Sequence, residues 1–127
     1  MRTELVYLAC MSIDNVLAGV AVHNLDKSVP WYDRLLGVPG QRPMKEVSEW
    51  RLPRGGCLQV FQDPKRAGHS SITLVVSDMD QQLAALEASD IKIGPTTTSE
   101  AVRTAIVHDP DGNQIVFAQP FTDKLAR

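Results

Sequence analysis

The chain of 127 residues is long enough for one domain with an apolar core, and its 43% hydrophobic and 22% charged residues suit a soluble globular protein. A net charge of −2, with Lys and Arg scattered along the chain, gives neither the basic stripe of a nucleic-acid binder nor a funnel for acidic substrates. No apolar run reaches the roughly 18 residues of a membrane span, so no membrane partner is expected.

The opening stretch, Met1 to Cys10, is too short and too weakly basic for a signal peptide. Met11 is an alternative start, in which case the first ten residues are an extension or an added edge strand. Cys10 and Cys57 are too few and too far apart for a disulfide framework or a zinc cluster. Two reduced thiols in a cytoplasmic protein are expected.

From Leu17 to His23 the residues alternate. Ala18, Val20 and Val22 share one face, and Leu17, Gly19, Ala21 and His23 the other, which predicts a strand. A helix is expected from about Asp26 to Leu36, capped by Asp26 or Ser28, with Pro30 in its first turn and Gly37 ending it. Tyr32 is expected to pack under this helix and Trp31 to cover the domain edge. Pro39 and Pro43 predict an edge or bent strand. Strands are expected over Glu46 to Leu52 and Cys57 to Gln62, joined by a Pro53-Arg54-Gly55-Gly56 hairpin turn. Asp63 to Gly68 is a polar linker.

The second half repeats this order. His69 to Val76 is a strand with Ile72, Leu74 and Val76 on one face. Asp78 caps a helix running to about Ala88, with Leu83 and Leu86 on its buried side. Ile91 to Thr98 reads as a loop and an irregular strand, and Val102 to Val107 as a strand. Asp109-Pro110-Asp111-Gly112-Asn113 is a tight turn in which Gly112 supplies positive φ. Gln114 to Ala118 closes the sheet, and Phe121 to Arg127 is a frayed tail.

Two internal echoes support duplication. Val22-His23-Asn24-Leu25-Asp26 matches Val76-Ser77-Asp78-Met79-Asp80, and Gly55-Gly56-Cys57-Leu58-Gln59-Val60-Phe61 matches Gly112-Asn113-Gln114-Ile115-Val116-Phe117-Ala118. Both occur in the same order at nearly the same offset.

The segment Val22 to Ser28, followed by Trp31-Tyr32-Asp33-Arg34-Leu35-Leu36-Gly37, and the later His108-Asp109-Pro110-Asp111-Gly112-Asn113 with Ile115 and Phe117, carry a resemblance. They resemble the first-helix and closing-hairpin signatures of the glyoxalase, bleomycin-resistance and extradiol-dioxygenase superfamily, over about Leu17 to Pro120. The resemblance implies one α+β domain over 1–127 with two tandem βαβββ modules. Module one covers about 13–62, a linker 63–68, and module two about 69–120. It implies an open, curled mixed β-sheet around a ligand cleft, and commonly a homodimer whose cleft is shared with the partner chain.

Metal-using members of that superfamily place a ligand, usually His or Glu with Gln an occasional substitute, on the first and last strand of each module. Matched motif to motif, those positions are Leu17, Gln59, Ser71 and Val116. Two apolar side chains, an amide and a hydroxyl do not make a zinc, iron or manganese site, so neither the usual metal nor a cofactor is expected. The strand register has an independent check. If these four face the cleft, then Ala18, Val20, Val22, Leu58, Val60, Ile72, Leu74, Val76, Ile115 and Phe117 face the helices, and that set is uniformly apolar.

Trp50, Cys57, Gln59, Phe61, His69, Ser71 and Arg103 are the candidate ligand-binding residues. Trp50 and Phe61 offer flat faces for stacking, Trp50 alternatively packing in the domain or at a dimer interface, and Arg103 is a partner for an anionic group or else a solvent-facing charge. His69 suits a ligand hydrogen bond or general-base catalysis, and with His23 it could form a relocated metal site. Three readings stay open. The first is a metal-independent binding protein that sequesters a partly aromatic small molecule. The second is a lyase, isomerase or dioxygenase-like enzyme acting through a relocated metal or through His69 or Glu49. The third is an interaction module with a vestigial cleft.

Overall fold

The computed structural model describes residues 12–121. The expectations for Cys10, for the two starting methionines and for the tail beyond Phe121 fall outside the described residues. Ten elements run in the order β1 (Leu17–Val22), α1 (Leu25–Leu36), β2 (Gln41–Met44), β3 (Val47–Arg51), β4 (Cys57–Gln62), β5 (Ser71–Val75), α2 (Met79–Ala88), β6 (Thr96–Thr98), β7 (Val102–His108) and β8 (Gln114–Pro120).

The strands form two four-stranded mixed sheets, ordered β1-β4-β3-β2 and β5-β8-β7-β6. In each, the first strand of the module runs parallel to the last, and the other pairs are antiparallel. A parallel pair needs a long crossover, and α1 or α2 with the strands that follow it supplies one. The α+β fold of two βαβββ modules therefore stands, with no closed barrel.

The helices cover one face of each sheet. Val20, Val22, Leu58 and Val60 in the first module, and Ile72, Leu74, Ile115 and Phe117 in the second, are buried there with Leu25, Tyr32, Met79 and Leu86 of the helices. The apolar set that checked the register is thus the core, with Ala18 and Val76 partly buried at its margins. β2 and β6 lie at the sheet edges. Pro43 falls within β2, where the pairing with β3 shifts register. An edge strand tolerates a residue that cannot donate to the ladder.

Helix α1 begins one residue earlier than expected. The Asn24 side chain caps it by accepting from the Lys27 N–H at 3.1 Å, so neither Asp26 nor Ser28 is the N-cap. Pro30 consequently sits in the second turn rather than the first. Gly37 ends the helix in the left-handed region at φ 76°, its N–H bonded to Asp33 O, as the sequence suggested. Asp78 caps α2 in the same manner as Asn24, through Gln81 N–H. The modules repeat a second anchor. Gln62 Oε1 accepts from Leu25 N–H at 3.0 Å, and Gln119 Oε1 accepts from Met79 N–H at 2.8 Å.

The two modules are joined by a buried polar knot. Asp109 in the β7–β8 turn accepts the Tyr32 hydroxyl at 2.7 Å and Asn113 Nδ2 at 2.8 Å through Oδ2. Its Oδ1 takes the N–H groups of Asp111 and Asn113. Asn113 also donates to Ala21 O and accepts from Ser70 N–H, both at 2.8 Å. This single turn thereby ties α1, β1 and the entry to β5 together. Burial, reinforced by the neighbouring Asp109 carboxylate, pushes the Tyr32 phenol far above its ordinary range.

Candidate functional site

The sheet faces turned away from the helices carry the other alternating residues. On the first sheet these include Gly19 and Ala21 of β1, Cys57, Gln59 and Phe61 of β4, and Glu49 of β3. On the second they include Ser71 and Thr73 of β5, Val116 of β8 and Ile106 of β7.

A cavity of about 540 Å³ opens on the first of these faces, beside the linker. Its apolar floor is Gly19, Ala21 and Phe61, and its polar rim is Lys65, Arg66, His69 and Ser70. The volume lies in the range of ordinary small-molecule sites. Gly19 keeps the floor open, because a Cβ there would stand 3.3 Å from Phe61 Cε1. The Arg66 guanidinium lies 5.0 Å from the centre of the Phe61 ring, a cation–π contact.

The rim is held by an ordered linker. Arg66 N–H and Ala67 N–H both bond to Asp63 O, and Lys65 N–H bonds to Asp63 Oδ1. Arg66 Nε meets Asp63 Oδ2 at 2.8 Å, and that contact holds the Asp63 carboxyl below its usual range. Gly68, at φ 88°, passes so close to the β7–β8 turn that a Cβ would lie 2.6 Å from Asp111 O. Ser70 Oγ accepts from Ala21 N–H at 3.1 Å and links β5's entry to β1.

Of the sequence candidates, Phe61 and His69 line the cavity. Cys57 and Gln59 share its sheet face but lie further back along β4, outside the lining. Gln59 donates to Glu49 Oε2 at 2.9 Å across the β3–β4 pair, which occupies the carboxylate considered as a base. Burial, then the nearby Glu49 charge, pushes the Cys57 thiol up, which disfavours the reactive thiolate. Ser71 sits on the second sheet and accepts from Gln114 Nε2.

Two candidates belong to the opposite face. Trp50 is 2% exposed and pairs with Leu58, so it points into the core rather than toward a ligand. Its Nε1–H reaches Asp33 Oδ1 and Val38 O, each at 3.2 Å, and its ring stands 5.8 Å from that of Tyr32. Arg103 shares the parity of Ala105 and Val107 and bonds to Asp80 of α2 at 2.8 Å. That ion pair satisfies it on the helix side. His23 is exposed beyond β1, where its backbone N–H bonds to Asp111 Oδ2.

The superfamily's metal does not fit the residues present. Leu17 and Val116 offer no donor atom, Gln59 is engaged by Glu49, and Ser71 by Gln114. Among the described residues no three His, Cys, Asp or Glu side chains gather where they could hold an ion, which also removes support for a site built on His23 and His69. The residues that sequence reasoning missed are Lys65, Arg66, Gly19, Ala21 and Ser70. The signal was present in part, since Lys65 and Arg66 stand in a short linker that otherwise reads as a plain connection, and His69 follows it directly.

The family model for the glyoxalase/bleomycin resistance protein/dioxygenase superfamily matches residues 12–117. A glyoxalase/bleomycin resistance protein from Catenulispora acidiphila is 33% identical, with a TM-score of 0.77, over 83% of this chain and 96% of that one. An antibiotic-binding protein from Streptomyces is 23% identical, with a TM-score of 0.74, over 87% and 98%. A bleomycin-binding protein solved with bleomycin is 18% identical, with a TM-score of 0.70, over 84% and 98%. No curated protein matches this chain. Sequence and fold agree that the chain belongs to the glyoxalase/bleomycin resistance protein/dioxygenase superfamily.

Proposed function

We propose that this protein binds a partly aromatic small molecule, without a metal ion, on the open face of its first sheet. The cavity beside Phe61 carries the reading, because it joins a half-buried aromatic floor to a rim of hydrogen-bonding side chains. That combination lets an apolar body lose water while a few polar groups fix its orientation. The antibiotic-binding and bleomycin-binding proteins of the same fold support small-molecule binding as a use of such a cleft. The unsuited metal positions support it too. We take the working unit to be a homodimer, a reading supported by Leu17 and Val75, which leave 47% and 48% of their surface exposed on the open faces.

The test is elemental analysis of protein purified without added metal, followed by calorimetric titration with naphthalene derivatives, with and without a chelator. Far less than one metal ion per chain and saturable binding that the chelator leaves unchanged are expected. Gly19→Leu, which fills the floor against Phe61, is expected to weaken binding at least roughly tenfold, equivalent to about 1.4 kcal/mol. A stoichiometric metal whose removal abolishes binding would overturn the reading.

A further inference from the structure

The cavity's charge runs against that of the molecule. The chain carries a net charge of −2, yet the ionisable residues lining the cavity are Lys65, Arg66 and His69, with no carboxylate among the lining residues. Asp63 is the nearest counter-charge on the linker, and it meets Arg66 only through Nε. The two terminal nitrogens of the guanidinium are left to take a pair of oxygens side by side, the geometry in which arginine binds oxyanions best. Lys65 makes no ion pair among the described residues, and its backbone is pinned by Asp63 Oδ1. His69 brings an imidazole N–H to the same rim. The Ser70 hydroxyl accepts from Ala21 N–H, which leaves its own proton to donate. Every polar side chain at the rim is therefore able to donate to a ligand oxygen.

The floor sets the other half of the ligand. Gly19 sets no side chain against Phe61 Cε1 and Ala21 adds only a methyl group, while the Arg66 guanidinium lies over the Phe61 ring at 5.0 Å. A flat apolar body can lie against this floor while its polar end meets the rim.

We propose, on the reading above that this cavity is the binding site, that its ligand is an anionic aromatic compound. A carboxylate or related oxyanion meets Lys65, Arg66 and His69, and the ring system rests on Phe61, Gly19 and Ala21. The preference is opposite to that of a cleft built for cationic drugs. It is set by the linker, not by the sheet residues at the superfamily's metal positions.

The experiment compares three ligands that share one ring system and differ in charge: naphthoate, naphthamide and naphthylmethylammonium. Affinities are measured by calorimetry at low salt and again at about half-molar salt, where screening shortens to a few ångströms. Naphthoate is expected to bind roughly tenfold more tightly than naphthamide, the ammonium more weakly than either, and only the naphthoate advantage is expected to shrink with salt. In Lys65→Gln/Arg66→Gln the ratio of naphthoate to naphthamide affinity is expected to fall to near one. In the charge-keeping Lys65→Arg/Arg66→Lys it persists. Equal binding of all three compounds would overturn the anion assignment and leave small-molecule binding standing. So would a naphthoate preference that survives the Gln variant, because the charge would then be read elsewhere. If none of the three binds, the binding reading itself falls, and the anion assignment with it.

Discussion

Asn113 has no exposed surface, and it satisfies three partners on two modules. Its replacement by Ala would leave Ala21 O unpartnered in the interior and Ser70 N–H unpartnered at the half-buried cavity rim, each at a cost of up to about 1–3 kcal/mol. Tyr32→Phe removes one donor, but Asp109 Oδ2 keeps its bond from Asn113. Urea unfolding is therefore expected to show Asn113→Ala losing about 3–4 kcal/mol and Tyr32→Phe about 1–2 kcal/mol. The phenol also predicts a pH dependence. Its folded pKa is raised above the ordinary value of 10.0, so the neutral form is the one that folding favours. That contribution is complete below pH 10 and is lost as pH rises beyond it. The alkaline fall in stability should be shallower in Tyr32→Phe, and equal slopes in the two proteins would contradict the assignment. Gly40 makes a second point about close packing. A Cβ there would stand 2.6 Å and 2.8 Å from two atoms of the Trp50 indole, which is buried and hydrogen-bonded and cannot retreat. Gly40→Ala is expected to cost about 1–3 kcal/mol in unfolding and to shift tryptophan emission. The burial of Tyr32 was expected from the sequence, but its bond to Asp109 and the side taken by Trp50 were not legible locally. Trp50 stands between Glu49 and Arg51 in a stretch that reads as polar, and its side of the strand is decided by pairing with Leu58, a contact only the folded sheet provides.

At the level of elements, duplication was the most legible feature, and the echo in sequence proves to be an echo in hydrogen bonding. Asn24 and Asp78 occupy the same cap position, and Leu25 and Met79 the same buried first helical position. Gln62 and Gln119, at the ends of the returning strands, receive the N–H of those residues. Each glutamine closes one of the orphan donors that every helix start exposes. Gln62→Ala and Gln119→Ala are accordingly each expected to lower stability by about 1–2 kcal/mol, and to lose protection of the Leu25 or Met79 amide in hydrogen exchange. An effect in one module only would break the symmetry argument. The strands and helices were readable because alternation and capping are local. The cavity was not, because its rim depends on how the linker folds back. That path requires positive φ at Gly68 and close approach to the Asp111 carbonyl, which lies far along the chain. The same residues read as a polar connection when only their composition is considered.

At the scale of the whole molecule, the described residues bury one face of each sheet beneath a helix and set no layer over the other. The bare faces expose Leu17 on β1 and Val75 on β5, the two strands at which the modules adjoin, and Met44 at the outer edge of the first sheet is 62% exposed. Scattered apolar side chains on a surface need no explanation, but apolar positions concentrated on sheet faces with no covering layer mark an interaction surface. On the proposal of a homodimer, a second copy of the chain would supply the matching pattern, since each copy carries two such faces and a two-fold arrangement would set one copy's first face against the other's second. The cavity would gain from such a dimer, because a site open on one side cannot strip water from most of a ligand's surface until a wall closes over it. Light scattering is therefore expected to give twice the mass of the chain, with a thermal midpoint that rises with protein concentration. Leu17→Glu/Val75→Glu should halve the mass, because it places paired like charges in the contact. It should also weaken naphthoate binding, although neither residue lines the cavity. A wild-type protein that stays monomeric at high micromolar concentration and still binds with full affinity would show that one chain completes the site alone.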